Sequence, residues 1–168
     1  EYMGNPEKST GLFSMDYDQL SADTAQIYKE QFQKAQDDGS LLWQTVISFD
    51  NRWLEELGIY DSSTQELDEA RIRGMTRIFM KTLLEKEGLH LASWTAAVHY
   101  NTDNIHVHIA IVDPESEREK VKDGKYAGEP KGTWSIRSIR YAKSAAVNEL
   151  LELDQEMKRL NDLVRECI

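Results

Sequence analysis

Cysteine is nearly absent. Its one occurrence, Cys167, excludes an internal disulfide framework and a cysteine-rich zinc site, and it suits a reducing cytosol. Long apolar runs are also missing: no stretch approaches the roughly 18 consecutive apolar residues of a membrane-spanning helix, so no membrane insertion is expected. The opening Glu1-Tyr2-Met3-Gly4 has no basic stretch followed by an apolar one, which argues against a signal peptide. It lacks an initiator methionine, so a piece of a longer protein is expected. Positive charge is in deficit. Lys and Arg total 20 against 30 Asp and Glu, for a net charge of −10 and a pI near 4.9. This argues against DNA binding by bulk electrostatics, and any contact with DNA has to rest on local positive charge.

What is present fits one domain, or one domain with an appended helix: 168 residues, 40% apolar and 30% charged, enough for a core and too apolar for disorder throughout. The local basic segment lies between Arg118 and Lys143. Its eight basic residues (Arg118, Lys120, Lys122, Lys125, Lys131, Arg137, Arg140 and Lys143) stand against Glu119, Asp123 and Glu129, a net of +5. A solvated loop and helix face accounts for this charge as well as a nucleic-acid groove does.

Residues 1–20 are rich in turn formers. Ser21 caps an expected helix over 22–37 with the stripe Ala25, Tyr28, Phe32 and Ala35. Residues 41–49 read as a strand, and Asp50-Asn51 caps a short helix over 52–57 that Gly58 stops. A polar connection, 61–65, precedes a long helix with the stripe Ile72, Met75, Phe79 and Leu83, which Gly88 ends. Strands over 93–100 and 105–113 follow, joined by Asn101-Thr102-Asp103-Asn104 in a hairpin. The glycine-rich, charged stretch 115–133 reads as a mobile loop. A helix over 135–166 closes the chain. Ile139, Ala146, Leu153 and Leu160 recur in it every seven residues, beside a companion row of Ala142, Leu150, Met157 and Val164. Packing onto the rest of the protein is favoured for this row over a coiled-coil seam.

Strand alternation sorts the hairpin into two faces. A turn at Thr102-Asp103 pairs Tyr100 with Ile105, His99 with His106, Val98 with Val107 and Ala97 with His108. One face is then Trp94, Ala96, Val98 and Tyr100 against Ile105, Val107, Ile109 and Ile111, apolar throughout and core. The other places His99 opposite His106, with His108 diagonal and the small Thr95, Ala97 and Ala110 leaving space above. Opposite Cβ atoms lie about 4.5–5.5 Å apart and diagonal ones about 7–8 Å, so three imidazoles can turn their nitrogens to one point. Three of the four histidines of the chain fall in this window. An alternating polar strand on a solvated face is the plainer explanation, but the clustering and the small neighbours favour a metal site. A three-histidine facial set leaves coordination positions open, the catalytic pattern. Imidazole donors suit zinc, nickel or copper, while phosphate chemistry often uses magnesium or manganese. Competing signatures fail: Ala110 stands where a histidine-triad hydrolase places its third histidine, Ala110 and Ile111 interrupt a His-x-His-x-Asp-His hydrolase, and no His-Glu-x-x-His helix exists.

The stretch His99-Tyr-Asn-Thr-Asp-Asn-Ile-His106-Val-His108 resembles the third motif of the His-hydrophobe-His (HUH) endonucleases, and among them the relaxases of plasmid and transposon conjugation. Tyr2-Met-Gly-Asn-Pro-Glu-Lys-Ser-Thr-Gly-Leu-Phe13 and Gln44-Thr-Val-Ile-Ser-Phe-Asp-Asn-Arg-Trp-Leu-Glu-Glu-Leu-Gly58 are similar to relaxases of the MobP/MobL type. The resemblance implies an α+β fold, an antiparallel β-sheet palm with packed helices and a long C-terminal helix. The palm is expected over residues 1–134, lacking its first strand, with the helix over 135–168 packed on it or extending from it. It implies a bacterial, cytoplasmic enzyme that nicks and transfers a single strand at an origin of transfer. The divalent metal (Mn, Mg or Zn) sits on His99, His106 and His108, and the partners are single-stranded DNA and accessory relaxosome and coupling proteins. A groove built from Lys120, Lys122, Lys125, Lys131, Trp134, Arg137 and Arg140 would hold the strand. The nucleophilic tyrosine is expected upstream of Glu1, with Tyr2 and Tyr141 as the candidates within the chain. Asp50 is a candidate to orient a metal-bound histidine, although helix capping is its simpler task. Asp103 reads as a turn former. Two other readings stand beside this one: a rolling-circle replication initiator of the same superfamily, and a metal-containing nucleic-acid-binding module without catalysis.

Overall fold

The computed structural model describes residues 10–100, 103–115 and 118–166, without the side chains at 153–154, 157–158 and 160–166. Tyr2, the Asn101-Thr102 turn and Cys167 lie outside the described residues, as do the side chains of Leu153, Met157, Leu160 and Val164. The fold is α+β. A sheet of three strands, β1 (Leu42–Ser48), β4 (Ser93–His99) and β5 (His106–Val112), runs antiparallel in the order β1-β5-β4. Helices α1 (Ala22–Asp37), α2 (Asn51–Glu56), α3 (Glu69–Glu87) and α4 (Ile136–Glu166) accompany it, and a two-stranded ribbon, β2 (Tyr60–Asp61) with β3 (Glu66–Leu67), sits where a plain polar connection was expected.

The helices begin where side chains satisfy their free N–H groups. Ser21 accepts from Thr24 N–H, Asp50 from Arg52 N–H at 2.9 Å, and Asp68 from Arg71 N–H at 3.1 Å. Gly88 ends α3 in the left-handed conformation, φ +72°, where a β-carbon is strained.

One sheet face meets the helical layer. Trp94, Ala96, Val98, Ile105, Val107, Ile109 and Ile111 pack against Ile72, Met75, Phe79, Met80 and Leu83 of α3 and Ala142, Ala146 and Leu150 of α4. Burying a branched or aromatic side chain of this kind contributes about 1.5–3 kcal/mol, so this face fixes the register of the hairpin. The observed pairs, His99 with His106, Val98 with Val107 and Ala97 with His108, are those that alternation predicts. The apolar row of α4 is thus, through Leu150, packed into the domain rather than left as a seam.

Two departures concern segments that read as irregular in the sequence. Within 1–20, Phe13 pairs with Ala96 through two backbone bonds of 2.9 Å, and Thr10 N–H reaches Val98 O, so residues 10–13 extend the sheet beyond β4. Phe13 is fully buried and meets the Trp94 ring edge-on. Its apolar side chain has a core position to fill, which composition alone does not reveal. Within 118–134 the backbone doubles back on itself: Val121 N–H bonds Glu129 O, Gly128 N–H bonds Val121 O, and Lys131 N–H bonds Glu119 O. Cross-strand bonds thus organise a stretch whose composition suggests a mobile loop. In α1 only Ala35 of the expected stripe is buried, with Ala25, Tyr28 and Phe32 partly covered.

Candidate metal centre

The sheet face away from α3 and α4 carries the three histidines. Their ring centroids form a triangle of 5.2 Å (His99–His106), 4.6 Å (His99–His108) and 4.9 Å (His106–His108). One ring nitrogen from each lies within 4.8 Å of the others. Metal–nitrogen bonds of ~2.0–2.1 Å place tetrahedral ligand atoms about 3.3 Å apart, a contraction that small ring rotations supply. The donor set fits a divalent ion.

Exposure falls across this face from β1 to β4. Val46, paired with His108, is 52% exposed and Ser48, paired with His106, is open to solvent. His106 and His108 are half-buried, while His99, Ala97 and Thr95 on β4 are buried, His99 at 2%. Among the described residues the cluster is therefore covered on its β4 side and exposed on its β1 side, at Val46 and Ser48.

Burial holds the His99 imidazole below its usual range, with the nearby His108 and His106 adding to the effect. Burial and then His106 do the same for His108. Both rings therefore stay neutral, with a lone pair to offer, at pH values where a solvated imidazole begins to protonate. His106 Nδ1 lies 2.9 Å from Asn104 O. A carbonyl only accepts, so Nδ1 carries the proton and Nε2 is left as the donor atom.

The other predicted site residues are elsewhere. Trp134 donates its indole N–H to Thr45 Oγ1 at 2.9 Å and lies 5.3 Å from the Trp43 ring. Thr45 and Trp43 pair with Ile109 and Ile111, so Trp134 belongs to the helical side of the sheet. Tyr141, exposed on α4, accompanies Arg137 and has the Lys86 ammonium 4.9 Å from its ring centre, also in the helical layer. The Arg137 guanidinium, by hydrogen bond and charge, and Lys86 lower the Tyr141 phenol below its usual range. Arg137 and Arg140 are exposed on α4, and Lys120, Lys122, Lys125 and Lys131 are exposed on the 118–134 ribbon. This ribbon returns to the sheet along the β1 edge, where Trp43 Nε1–H donates to Gly132 O at 3.0 Å. Arg118, counted among the local positive charges, is instead sheltered: it pairs with Glu87 and lies over the Trp43 and Trp134 rings at 5.6 and 5.3 Å. Asp50 caps α2. Asp103 offers its carbonyl to the Asn51 side chain.

Residues 1–168 match a protein-family model described as MobL relaxases. Neither a curated protein nor a solved structure matches the chain. Among the described residues, no helix is long and apolar enough to cross a membrane.

Proposed function

Because the chain belongs to the MobL relaxase family, we propose that its histidine cluster is the metal centre of an HUH-type reaction that nicks and rejoins one DNA strand at an origin of transfer. The family itself carries a relaxase-type role in mobilisation, with nucleic-acid nicking and DNA binding. The observation that supports the finer reading is the convergence of His99, His106 and His108 on a sheet face open along one side.

A bound Mn, Mg or Zn ion supplies Lewis acidity at a phosphate oxygen. The chain supplies the rest. The three imidazoles are held at fixed spacing by the register. The closed β4 side confines the phosphodiester to an approach over β1. The lysines of the ribbon beyond the β1 edge attract the single strand locally, which makes the bulk charge of −10 tolerable. A tyrosine oxygen forms a bond to phosphorus while the bond to the 3′ oxygen breaks, so the enzyme holds the 5′ end and the 3′ end leaves as a hydroxyl; the reverse step rejoins the strand. Tyr2 is the candidate in this chain ahead of the motif. A replication initiator needs a tyrosine on the helix after the motif within reach of the metal. Tyr141, in the helical layer with Lys86 and Arg137, favours the relaxase reading instead. Accessory relaxosome and coupling proteins would recruit the domain to its origin in a bacterial cytoplasm.

The test is incubation of the full-length protein with manganese and a single-stranded oligonucleotide spanning the origin of its own element. A covalent protein–DNA adduct that chelator abolishes, and that persists in Tyr141→Phe, is expected. Metal uptake without any adduct would leave a non-catalytic binding module. An adduct abolished in Tyr141→Phe would support the initiator reading.

A further inference from the structure

We infer that Asn51, the first residue of α2, is a positioning residue for the metal centre: it aims the Asn104–Ile105 peptide at His106 and so selects the ring nitrogen offered to the ion. The inference rests on the metal reading above and adds to it a residue outside the histidine cluster.

The Asn51 side chain makes two hydrogen bonds to backbone in the loop that enters β5. Its Oδ1 accepts from Ile105 N–H at 2.9 Å, and its Nδ2 donates to Asp103 O at 3.2 Å. An N–H only donates and a carbonyl only accepts, so the amide orientation is unambiguous. Ile105 N–H and Asn104 C=O belong to one planar peptide unit whose two ends point in opposite directions. The carbonyl end of that unit receives His106 Nδ1 at 2.9 Å. The relay is therefore continuous: Asn51 Oδ1, the 104–105 peptide, His106 Nδ1. Fixing the N–H end fixes the plane of the carbonyl, and each bond polarises the next.

Nothing else needs Asn51 in this place. Asp50 already caps α2, and Ile105 is anchored by its fully buried side chain and by Phe49 N–H to Ile105 O at 2.9 Å. Those interactions hold the Ile105 side chain and carbonyl, and Asn51 holds its N–H. Removing the group that a metal-bound imidazole donates to typically changes metal affinity 10–100-fold, and Asn51, one hydrogen bond further out, is expected at the low end of that range.

Two variants and a control decide the matter. Asn51→Ala removes both hydrogen bonds. Asn51→Asp keeps an oxygen to accept from Ile105 N–H and has no donor for Asp103 O. Leu150→Ala loosens the helical layer away from the loop. Nitrogen–proton correlation spectra of the metal-free proteins at pH 8 report the His106 tautomer, and calorimetry with zinc(II) reports affinity. Asn51→Ala should show His106 as a tautomer mixture and bind zinc about tenfold more weakly. Asn51→Asp and Leu150→Ala should keep the single Nδ1–H form. An unchanged tautomer or unchanged affinity in Asn51→Ala overturns the inference. So does equal scrambling in Asn51→Asp or Leu150→Ala, which would mark a general brace of the loop. If the wild-type protein takes up no zinc, the metal reading fails separately, and the spectra alone still decide whether Asn51 sets the His106 tautomer.

Discussion

His99 and His106 share one register position of the β4–β5 ladder, and their rings stack with centroids 5.2 Å apart and 24° between planes. One is sealed and the other half-open, so removing them has different consequences. His106→Ala should abolish zinc uptake in calorimetry while leaving the metal-free melting temperature close to wild type. His99→Ala should abolish uptake and also destabilise the metal-free fold by about 2 kcal/mol, because it leaves a buried void. Uptake surviving in His106→Ala would remove that ring from the ligand set.

The lowered His99 and His108 ionisations set a direction for pH dependence. Well above pH 6.5 these rings are neutral both folded and unfolded, and they add no pH-dependent term. Below it, the unfolded rings take up protons that the folded ones resist, so the unfolded state gains. The metal-free melting temperature should fall as pH drops from about 6.5 toward the lowered folded values, and a His99→Gln, His108→Gln double variant should show a shallower fall. An identical slope in the double variant would assign the acid sensitivity to other groups.

Arg118 predicts a stability effect without a direct role at the metal. Its pairing with Glu87 is sheltered from water, at 11% and 6% side-chain exposure, and its guanidinium lies over Trp43 and Trp134. Arg118→Ala leaves Glu87 with the Ser135 N–H but without its counter-charge, and should cost about 3–5 kcal/mol in chemical denaturation. Arg118→Lys should recover only part of this, since an ammonium lacks the planar stack. Full recovery by lysine would show that charge alone matters there.

The exposed lysines predict a salt effect. Replacing Lys120, Lys122 and Lys125 together by glutamine should reduce the slope of log affinity against log salt for a single-stranded oligonucleotide, by about 0.7 for each phosphate that a lysine no longer neutralises. Zinc affinity should not change. A slope equal to wild type would move the strand away from this ribbon.

The histidine cluster is legible in the sequence because one strand alternates so cleanly. Ile105, Val107, Ile109 and Ile111 can face only the core, and that fixes His106 and His108 on the opposite side. Helix ends are legible where a capping side chain or a glycine marks them, as at Ser21, Asp50 and Gly88. What escapes depends on long-range partners. Phe13 looks like any aromatic in a turn-rich stretch until Ala96 arrives to pair with it, 83 residues on. Arg118 looks like a free charge until Glu87 and two indoles enclose it. Sequence proximity groups Trp134 with the lysines of a groove, yet its indole is drawn to Thr45 on the helical side of the sheet. Asn51 carries no mark at all, since its hydrogen bonds are to backbone 52 and 54 positions away.

The paired backbone of residues 118–134 has an entropic meaning. A polycation on a slack tether has to surrender its freedom of motion when it captures a polyanion, and capture is weakened accordingly. Here Glu119 with Lys131, and Val121 with Glu129, are laced together before any encounter, and Arg118 is pinned at the root. If the proposed strand contact is made here, the appendage meets it with its backbone already paired, and the counterions it displaces govern its grip.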